Sequence, residues 1–275
     1  IIDDVLLDDQ SGKEMLKITR LSAKFDIIPL FNGKITISSV QLFGFNINLN
    51  KPAPHMEPNF KFVLDAFASK DTVKTKKDID LRINSILIRR GKLSYDVLSE
   101  EETPGKFNPQ HIKLHNIIAN ISLKALQNDS INAAIKRLSV DEQSGFELRK
   151  LSLKVIANNK GMKIENFAIE MPGTEMKMDT IRMEYDSLKA LNHFADNVRF
   201  SFRTLPSHVT LNDISAFVPA LSNFKEKLDL NIDVEGTLNQ LNCRTLEINA
   251  GDKFRLKGDV SLQDLSRPQD AYVYG

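Results

Sequence analysis

The feature that most constrains the fold is an alternation of apolar and polar residues. In "KLDLNIDVEG", Leu228, Leu230, Ile232 and Val234 alternate with charged or polar residues. Successive side chains of a β-strand point to opposite faces of the sheet, so this spacing predicts a strand with one apolar face. Turn signals such as "NNKG" and "NAGDK" separate similar runs. The chain is therefore predicted to contain about sixteen strands, joined mostly by short turns as in an antiparallel sheet.

A second pattern lies within the alternation: two apolar residues at spacing two, a step of three, and two more at spacing two. In a regular strand the step of three would move the second pair to the opposite face. Keeping all four residues on one face requires a β-bulge or a bend, and repeated bulges curl a sheet. The pattern predicts a long, curled, all-β sheet. It occurs at Ile35, Ile37, Val40, Leu42; Leu81, Ile83, Ile86, Ile88; Met162, Ile164, Phe167, Ile169; Met176, Met178, Ile181, Met183; and Leu241, Cys243, Leu246, Ile248.

Two segments interrupt the β pattern and predict short helices. "NFKFVLDAFAS" has a helical apolar stripe behind a potential Asn59 cap, and "DISAFVPALSNF" has one behind Asp213, with a kink or split at Pro219. The predicted organisation is β-hairpins and a short helix at 1–70, a charged linker at 71–80, and a repeated antiparallel β-region at 81–275. The second helix is expected near 213–224.

Composition excludes several classes of function. Lys plus Arg (37) nearly balances Asp plus Glu (36), so the chain has no strong field to recruit nucleic acid. The single cysteine, Cys243, stands at an apolar position of an alternating strand and is interpreted as a small core residue. No phosphate loop, nucleophile elbow or dinucleotide fingerprint is present. An enzyme is not expected, nor is a cofactor.

The five histidines are scattered, and only His111 and His115 are near each other in sequence. In a strand, a spacing of four places them about 13 Å apart, which is too far to share a metal ion. The sequence therefore predicts solvated or hydrogen-bonded histidines and no metal site.

Two nearly identical phrases occur at Asp8–Leu16 ("DDQSGKEML") and Asp141–Arg149 ("DEQSGFELR"). Each lies between short apolar runs, so each predicts a hairpin whose Ser-Gly pair occupies the turn. Glycine tolerates the positive φ that such a turn needs, and the preceding acidic side chain can accept hydrogen bonds from the turn backbone. Matching turns of related modules in a repeated sheet, with no chemistry at either, are the expected structure.

Several longer stretches together resemble the AsmA/TamB family of Gram-negative envelope proteins. They are "LFNGKITISSVQLFGFNINLNK", "NFKFVLDAF", "LSVDEQSGFELRKLSLKV", "VTLNDISAFVPALSNF" and "LDLNIDVEGTLNQLNCRTLEINAGD". The turn at Glu142–Gly145 and the segment Asp213–Pro219 are the most specific parts. The resemblance extends over nearly the whole chain, from about Ile2 to Ala271, but it contains no catalytic signature.

The resemblance implies a taco-like groove with an apolar interior, formed by the curled sheet. It implies a place in the periplasm, in a protein anchored to the inner membrane by a segment not present in this chain. The implied function is to bind and conduct phospholipid acyl chains between the inner and outer membranes, as in bridge-like lipid transfer proteins. The implied partners are phospholipids and an outer-membrane β-barrel protein. The residues expected to line the groove are Ile35, Ile37, Ile47, Leu228, Leu230, Ile232, Leu256 and Val260.

Two alternatives stay open at this stage. The chain could be a scaffold that uses exposed strand edges to assemble outer-membrane β-barrel proteins, because edge strands offer unpaired backbone groups. A transmembrane barrel fits less well: such barrels carry aromatic girdles, whereas this chain has no Trp and four Tyr.

Overall fold

The computed structural model describes residues 1–26, 36–68, 82–127 and 130–275. These residues form sixteen strands and two short α-helices, so the all-β prediction is confirmed. The strands are β1 Ile2–Asp8, β2 Glu14–Asp26, β3 Thr36–Lys51, β4 Arg82–Ile83, β5 Ser85–Val97, β6 His111–Gln127, β7 Ser130–Glu142, β8 Glu147–Asn158, β9 Gly161–Glu170, β10 Glu175–Glu184, β11 Arg199–Arg203, β12 Ser207–Thr210, β13 Lys227–Thr237, β14 Gln240–Asn249, β15 Arg255–Gln263 and β16 Tyr272–Tyr274.

The helices are α1 (Lys61–Ala68) and α2 (Phe194–Asn197). The first confirms the prediction, although Asn59 binds the end of β3 rather than capping α1: its amide donates to Asn48 O at 3.1 Å. The second helix, α2, is not the one that the sequence predicted near 213–224. The segment 213–224 contains no α-helix and instead has the 3₁₀ turns Leu211–Ile214 and Pro219–Leu221, because Pro219 cannot supply an interior helical hydrogen bond.

The strands are hydrogen-bonded in the order β1-β2-β3-β5-β6-β7-β8-β9-β10-β11-β13-β14-β15-β16. β12 pairs with β10 and β13, and β4 pairs with β3. The sheet is mixed rather than purely antiparallel, since β3 runs parallel to β4 and β5. A parallel pair needs a long connection, and the one between β3 and β5 contains α1. The alternation of single strands could not reveal this crossover.

Two compact units divide the chain. Unit 1 comprises residues 1–122, 137–147 and 216–219, and unit 2 comprises residues 123–136, 148–215 and 220–275. The predicted linker at 71–80 lies outside the described residues, so the predicted organisation at 1–70 and 81–275 stays a prediction.

The core of unit 1 is a row of buried side chains across neighbouring strands. Ile18 of β2 lies opposite Phe45 of β3, and Ile117 of β6 lies opposite Gly91 of β5. Ile18, Phe45 and Ile117 form one buried cluster. Because Gly91 has no side chain, the Phe45 ring occupies the space above it.

Residues with left-handed backbone accompany this row. They are Asp4 in β1, Gly44 in β3, Arg90 in β5 and Asn116 in β6, with φ between 53° and 65°. Gly44, Arg90 and Asn116 each precede a residue of the row, and Asp4 precedes Val5, which lies opposite Ile18. Aligned irregularities of this kind increase the local twist of a sheet.

Two of the predicted irregularities are found in unit 2. The pairing of β14 with β15 shifts between Cys243 and Leu246, which is the predicted step of three. In β9, Asn166 has φ 54° within the step from Ile164 to Phe167. The four apolar residues of β9 are paired with the four of β10, as Met162–Met183, Ile164–Ile181, Phe167–Met178 and Ile169–Met176. The spacing pattern therefore correctly identified apolar faces that continue across irregular strands.

The two repeated phrases form matching hairpin turns, as predicted. Gly12 and Gly145 both have positive φ, at 80° and 96°. Asp9 Oδ1 accepts hydrogen bonds from the Ser11 hydroxyl and from the Ser11 and Lys13 N–H groups. The Ser11 hydroxyl bond, followed by the Lys13 N–H bond, lowers the pKa of Asp9 to about 2. In the second turn, a carboxylate oxygen of Glu142 accepts the Ser144 N–H at 2.8 Å. Both carboxylates are used by the turns themselves.

Candidate functional site

The candidate site is the apolar face of β13, β14 and β15 in unit 2. Leu230 lies opposite Ile248, which in turn lies opposite Leu256. Directly paired residues of neighbouring strands project from the same face of a sheet, so these three side chains form one apolar row. On the other side of β13, Leu228 lies opposite Val209 of β12 and lengthens the apolar surface.

One end of this face is well packed. Val234, Leu241 and Cys243 are buried together, and Ile232 and Val260 pack against them. Burial raises the pKa of the Cys243 thiol, in agreement with its interpretation as a small core residue. Phe200 and Phe202 of β11 add stacked rings to the same cluster, with centroids 6.3 Å apart.

The other end is open to solvent. Leu256 is 40% exposed, and Leu228 and Leu230 are half-buried and lie outside the buried cluster. A cavity of about 680 Å³ contains Leu230, Ile248 and Leu256 in its wall, together with charged residues such as Asp229 and Lys257. This volume is typical of sites for small organic ligands. Its mixed wall suits a ligand with apolar and charged parts.

The opposite face of the same strands carries cross-strand ion pairs. Arg203 of β11 binds Asp233 of β13 at 2.6 Å, and Glu235 is held between Arg199 and Arg244. The hydrogen bond from Arg199 lowers the pKa of Glu235. Exposed pairs of this kind contribute little to stability. Their consequence is that one face is hydrated and charged while the other is apolar.

A similar arrangement occurs on β8 and β9. Lys154 binds Glu165 at 2.7 Å, Lys163 contacts the same carboxylate at 2.5 Å, and Lys150 binds Glu170 at 3.0 Å. Glu165 and Ile164 are successive residues, and Ile164 belongs to the apolar row shared with β10. Unit 2 therefore has separate charged and apolar faces at both of these places.

The Glu165 carboxylate yields a direct test of the charged face. The two lysine hydrogen bonds lower its pKa to about 2. Because the pKa of Glu165 is lower in the folded state than in the unfolded state, the ionised carboxylate stabilises the fold at pH values above the ordinary glutamate pKa. This contribution is lost as the pH falls towards about 2. Carboxyl NMR titration should find Glu165 still ionised near pH 3. In Lys154→Ala/Lys163→Ala the pKa should return towards the ordinary glutamate value, and an ordinary value in the unmodified protein would contradict this ion-pair geometry.

Five of the eight predicted lining residues meet on the candidate face: Leu228, Leu230, Ile232, Leu256 and Val260. Ile47 belongs to unit 1, where it lies opposite Leu16 and packs around the Ile18 cluster. Ile37, on the same strand, lies opposite Phe25. Ile35 is outside the described residues.

Sequence reasoning did not include Val209, Leu246 and Ile248 among the lining residues. Leu246 and Ile248 were already identified as apolar by their spacing, so pairing β14 with β13 would have included them. Val209 stands in the four-residue strand β12, which is too short to show a clear alternation.

One histidine lies close to carboxylates. In the part of the chain that the structure describes, Asp96, Glu102 and His111 bring potential ligand atoms within 4.8 Å of one another. Both His111 ring nitrogens already have protein partners, and Lys113 binds Glu102 at 2.8 Å. The side chains thus form a hydrogen-bonded network without any added ion.

Comparison with protein-family models, curated proteins and solved structures found no significant match. The resemblance to the AsmA/TamB family accordingly stays a prediction. Within the four described ranges, no helix combines the length and the hydrophobicity needed to cross a membrane.

Proposed function

We propose that this chain is a lipid-binding part of an AsmA/TamB-like envelope protein and that the apolar face of β13–β15 contacts phospholipid acyl chains. The observation that carries the proposal is the row Leu230–Ile248–Leu256, which is apolar and partly exposed, on strands whose other face is charged.

The energetic argument uses the apolar row directly. Removing a methylene group from water is favourable by about 0.8 kcal/mol, so an acyl chain along the row gains affinity with every contact. Neither a catalytic group nor a shaped pocket is needed for that gain. The ligand is recognised by its length and hydrophobicity, and the cavity wall also carries both signs of charge, with Asp229, Arg255 and a Lys257–Glu247 ion pair, which suits a zwitterionic headgroup.

Site-specific photo-crosslinking tests this proposal. A benzophenone amino acid is placed at Leu230 and, as a matched control, at Asn242, which lies between the buried Leu241 and Cys243, projects from the other face and is not part of the cavity wall. After illumination with phospholipid vesicles, the protein labelled at position 230 should carry a phospholipid adduct and the protein labelled at position 242 should not. Equal labelling at both positions would contradict a face-specific site.

The cellular context in this proposal comes from the resemblance. It places the chain in the periplasm, in a protein that is anchored to the inner membrane through a segment outside this chain. Phospholipid would be conducted between the two membranes, with an outer-membrane β-barrel protein as partner. Depletion of the protein in a Gram-negative host should then slow phospholipid arrival at the outer membrane, measured by pulse labelling and membrane fractionation.

A second function, assembly of outer-membrane β-barrel proteins, is favoured by one observation. β1 ends the strand order, so one of its edges has no partner among the described strands, and Ile2 and Leu6 on it are exposed. An edge of this kind can pair with another chain. Peptides copied from barrel strands should then shift the amide NMR signals of β1. A shift confined to the Leu230–Leu256 face would instead favour the binding of apolar ligands.

A further inference from the structure

His111 occupies an unusual position at the start of β6. Its side chain is buried, with 4% of the residue exposed. Nδ1 lies 3.0 Å from Asp96 Oδ1 on β5, and Nε2 lies 3.0 Å from the Glu100 carbonyl oxygen in the loop 98–110. The ring therefore connects the end of β5, the start of β6 and the loop between them, all within unit 1.

Both atoms that face the ring are hydrogen-bond acceptors. A neutral imidazole has a single N–H, so it can donate to the Asp96 carboxylate or to the Glu100 carbonyl but not to both. The protonated ring has two N–H groups and satisfies both acceptors. The geometry thus matches the imidazolium form.

The charges around the ring favour the same form. Asp96 on β5 and Glu102 in the loop carry negative charge, while Lys113 on β6 is bound to Glu102. Glu142, the last residue of β7, accepts the Lys113 N–H, and the adjacent Gln143 donates to the His111 carbonyl. The hydrogen bond to Asp96 is the largest cause that raises the pKa of His111. Burial of the ring lowers this pKa in part, and the hydrogen bond to the Glu100 carbonyl raises it further.

We propose that His111 is a protonation-dependent latch: the imidazolium holds the first half of the loop 98–110 against β5 and β6, and the neutral ring releases it.

The release has a defined extent. When the ring is neutral, the carboxylate of Asp96 retains the N–H as the stronger acceptor, and the Nε2 lone pair then faces the Glu100 carbonyl. The second half of the loop has separate attachments: Phe107 N–H donates to Ala216 O at 2.9 Å, and the Phe107 ring lies 4.9 Å from that of Phe217. In the first half, the Ser99 N–H donates to Pro52 O and the Glu100 N–H to Val97 O, both at 3.0 Å, so loosening is limited to the segment around Glu100 and is measured by the exchange of these two amides.

The pH at which the latch opens follows from the sign of the pKa change. A raised pKa in the folded state means that the contribution of His111 to loop stability is complete below the ordinary histidine value of about 6.5. The contribution is lost as the pH rises through the higher folded-state value. The loop should be closed in mildly acidic solution and loosened in alkaline solution.

Amide hydrogen exchange of the complete chain, followed by NMR from about pH 5 to about pH 9, tests the proposal. The protection factors of Ser99 and Glu100, corrected for base catalysis, should fall roughly tenfold as His111 loses its proton. The His111 ring nitrogens should show the same midpoint. Exchange of Phe107 should change little.

Variants separate this latch from a general effect of alkaline solution. His115→Gln, on the same strand at an exposed position, should leave the transition unchanged. His111→Gln should abolish the exchange transition. Asp96→Asn should lower the midpoint of the ring titration and of the exchange transition together, and it provides the test if His111→Gln does not fold. A neutral His111 at acidic pH, or a loop transition that persists in Asp96→Asn with an unchanged midpoint, would overturn the proposal.

Discussion

Replacing Gly91 with alanine should lower the free energy of unfolding by about 2 kcal/mol. A Cβ at this position would lie 2.4 Å from two ring atoms of Phe45 and 3.0 Å from Ile117 Cβ. Phe45 is buried between strands and cannot move aside without leaving the cluster with Ile18. Because Gly91 does not have a left-handed backbone, the expected cost is steric, and equilibrium urea unfolding followed by circular dichroism measures it.

Two further variants make the test specific. Gly258→Ala, at a strand position where a Cβ would meet no atom within 4 Å, should change stability by less than about 0.5 kcal/mol. The double variant Gly91→Ala/Phe45→Leu should lose less unfolding free energy than the sum of the losses in the two single variants, because the leucine side chain leaves room for the new methyl group. Equal effects of Gly91→Ala and Gly258→Ala would contradict the packing of Phe45 over Gly91.

The double change Leu230→Asp/Leu256→Asp should weaken phospholipid binding by at least about tenfold while the protein stays folded. The two side chains lie at either end of the row through Ile248, so both carboxylates would face the acyl chain. Neither leucine belongs to the buried cluster, and Leu256 is 40% exposed, so the unbound protein can hydrate the new charges. Binding of a fluorescent phospholipid measures the loss.

The matched control places the same charge on the other face. Asn242→Asp and Gln263→Glu also add two negative charges to β14 and β15. Neither position belongs to the cavity wall, and both alternate with apolar residues of the packed end of the face, Asn242 with Leu241 and Cys243 and Gln263 with Leu262. This control should bind phospholipid as the unmodified protein does. Equal loss in both double variants would indicate a net-charge effect and contradict the site.

Ile232 needs separate treatment. The alternation alone assigns Leu230 and Ile232 the same role, so it predicts that a charge at either position abolishes function in a folded protein. Ile232 packs against Val234, Leu241 and Cys243, so Ile232→Asp would place a carboxylate against a buried cluster. We expect that variant to lose stability, and loss of lipid binding in it would be uninformative.

Local patterns predicted much of the fold. The Ser-Gly turns, the apolar faces of β9, β10 and β14, and α1 all depend on residues close in sequence. The same local information placed five of the predicted lining residues on one face, since Leu228, Leu230 and Ile232 share a strand and Leu256 follows in the next hairpin. Spacing also located the bulge in β14, because Leu246 could not otherwise face the same side as Cys243.

The features that were missed depend on distant pairs. The parallel pairing of β3 with β5 results from a crossover that no strand alternation records. The fit of Phe45 over Gly91 joins two strands, and neither residue type indicates the other. His111 and Asp96 meet across a long hairpin loop, so the histidine could be predicted to be hydrogen-bonded but its partner could not be named.

The most direct test of the central claim, that the apolar face binds phospholipid, is native mass spectrometry with lipid extraction on protein purified without detergent. The account predicts phospholipid bound to the folded chain at more than one molecule per chain, and its loss in Leu230→Asp/Leu256→Asp. A folded protein that carries no lipid, and acquires none from vesicles, would contradict it.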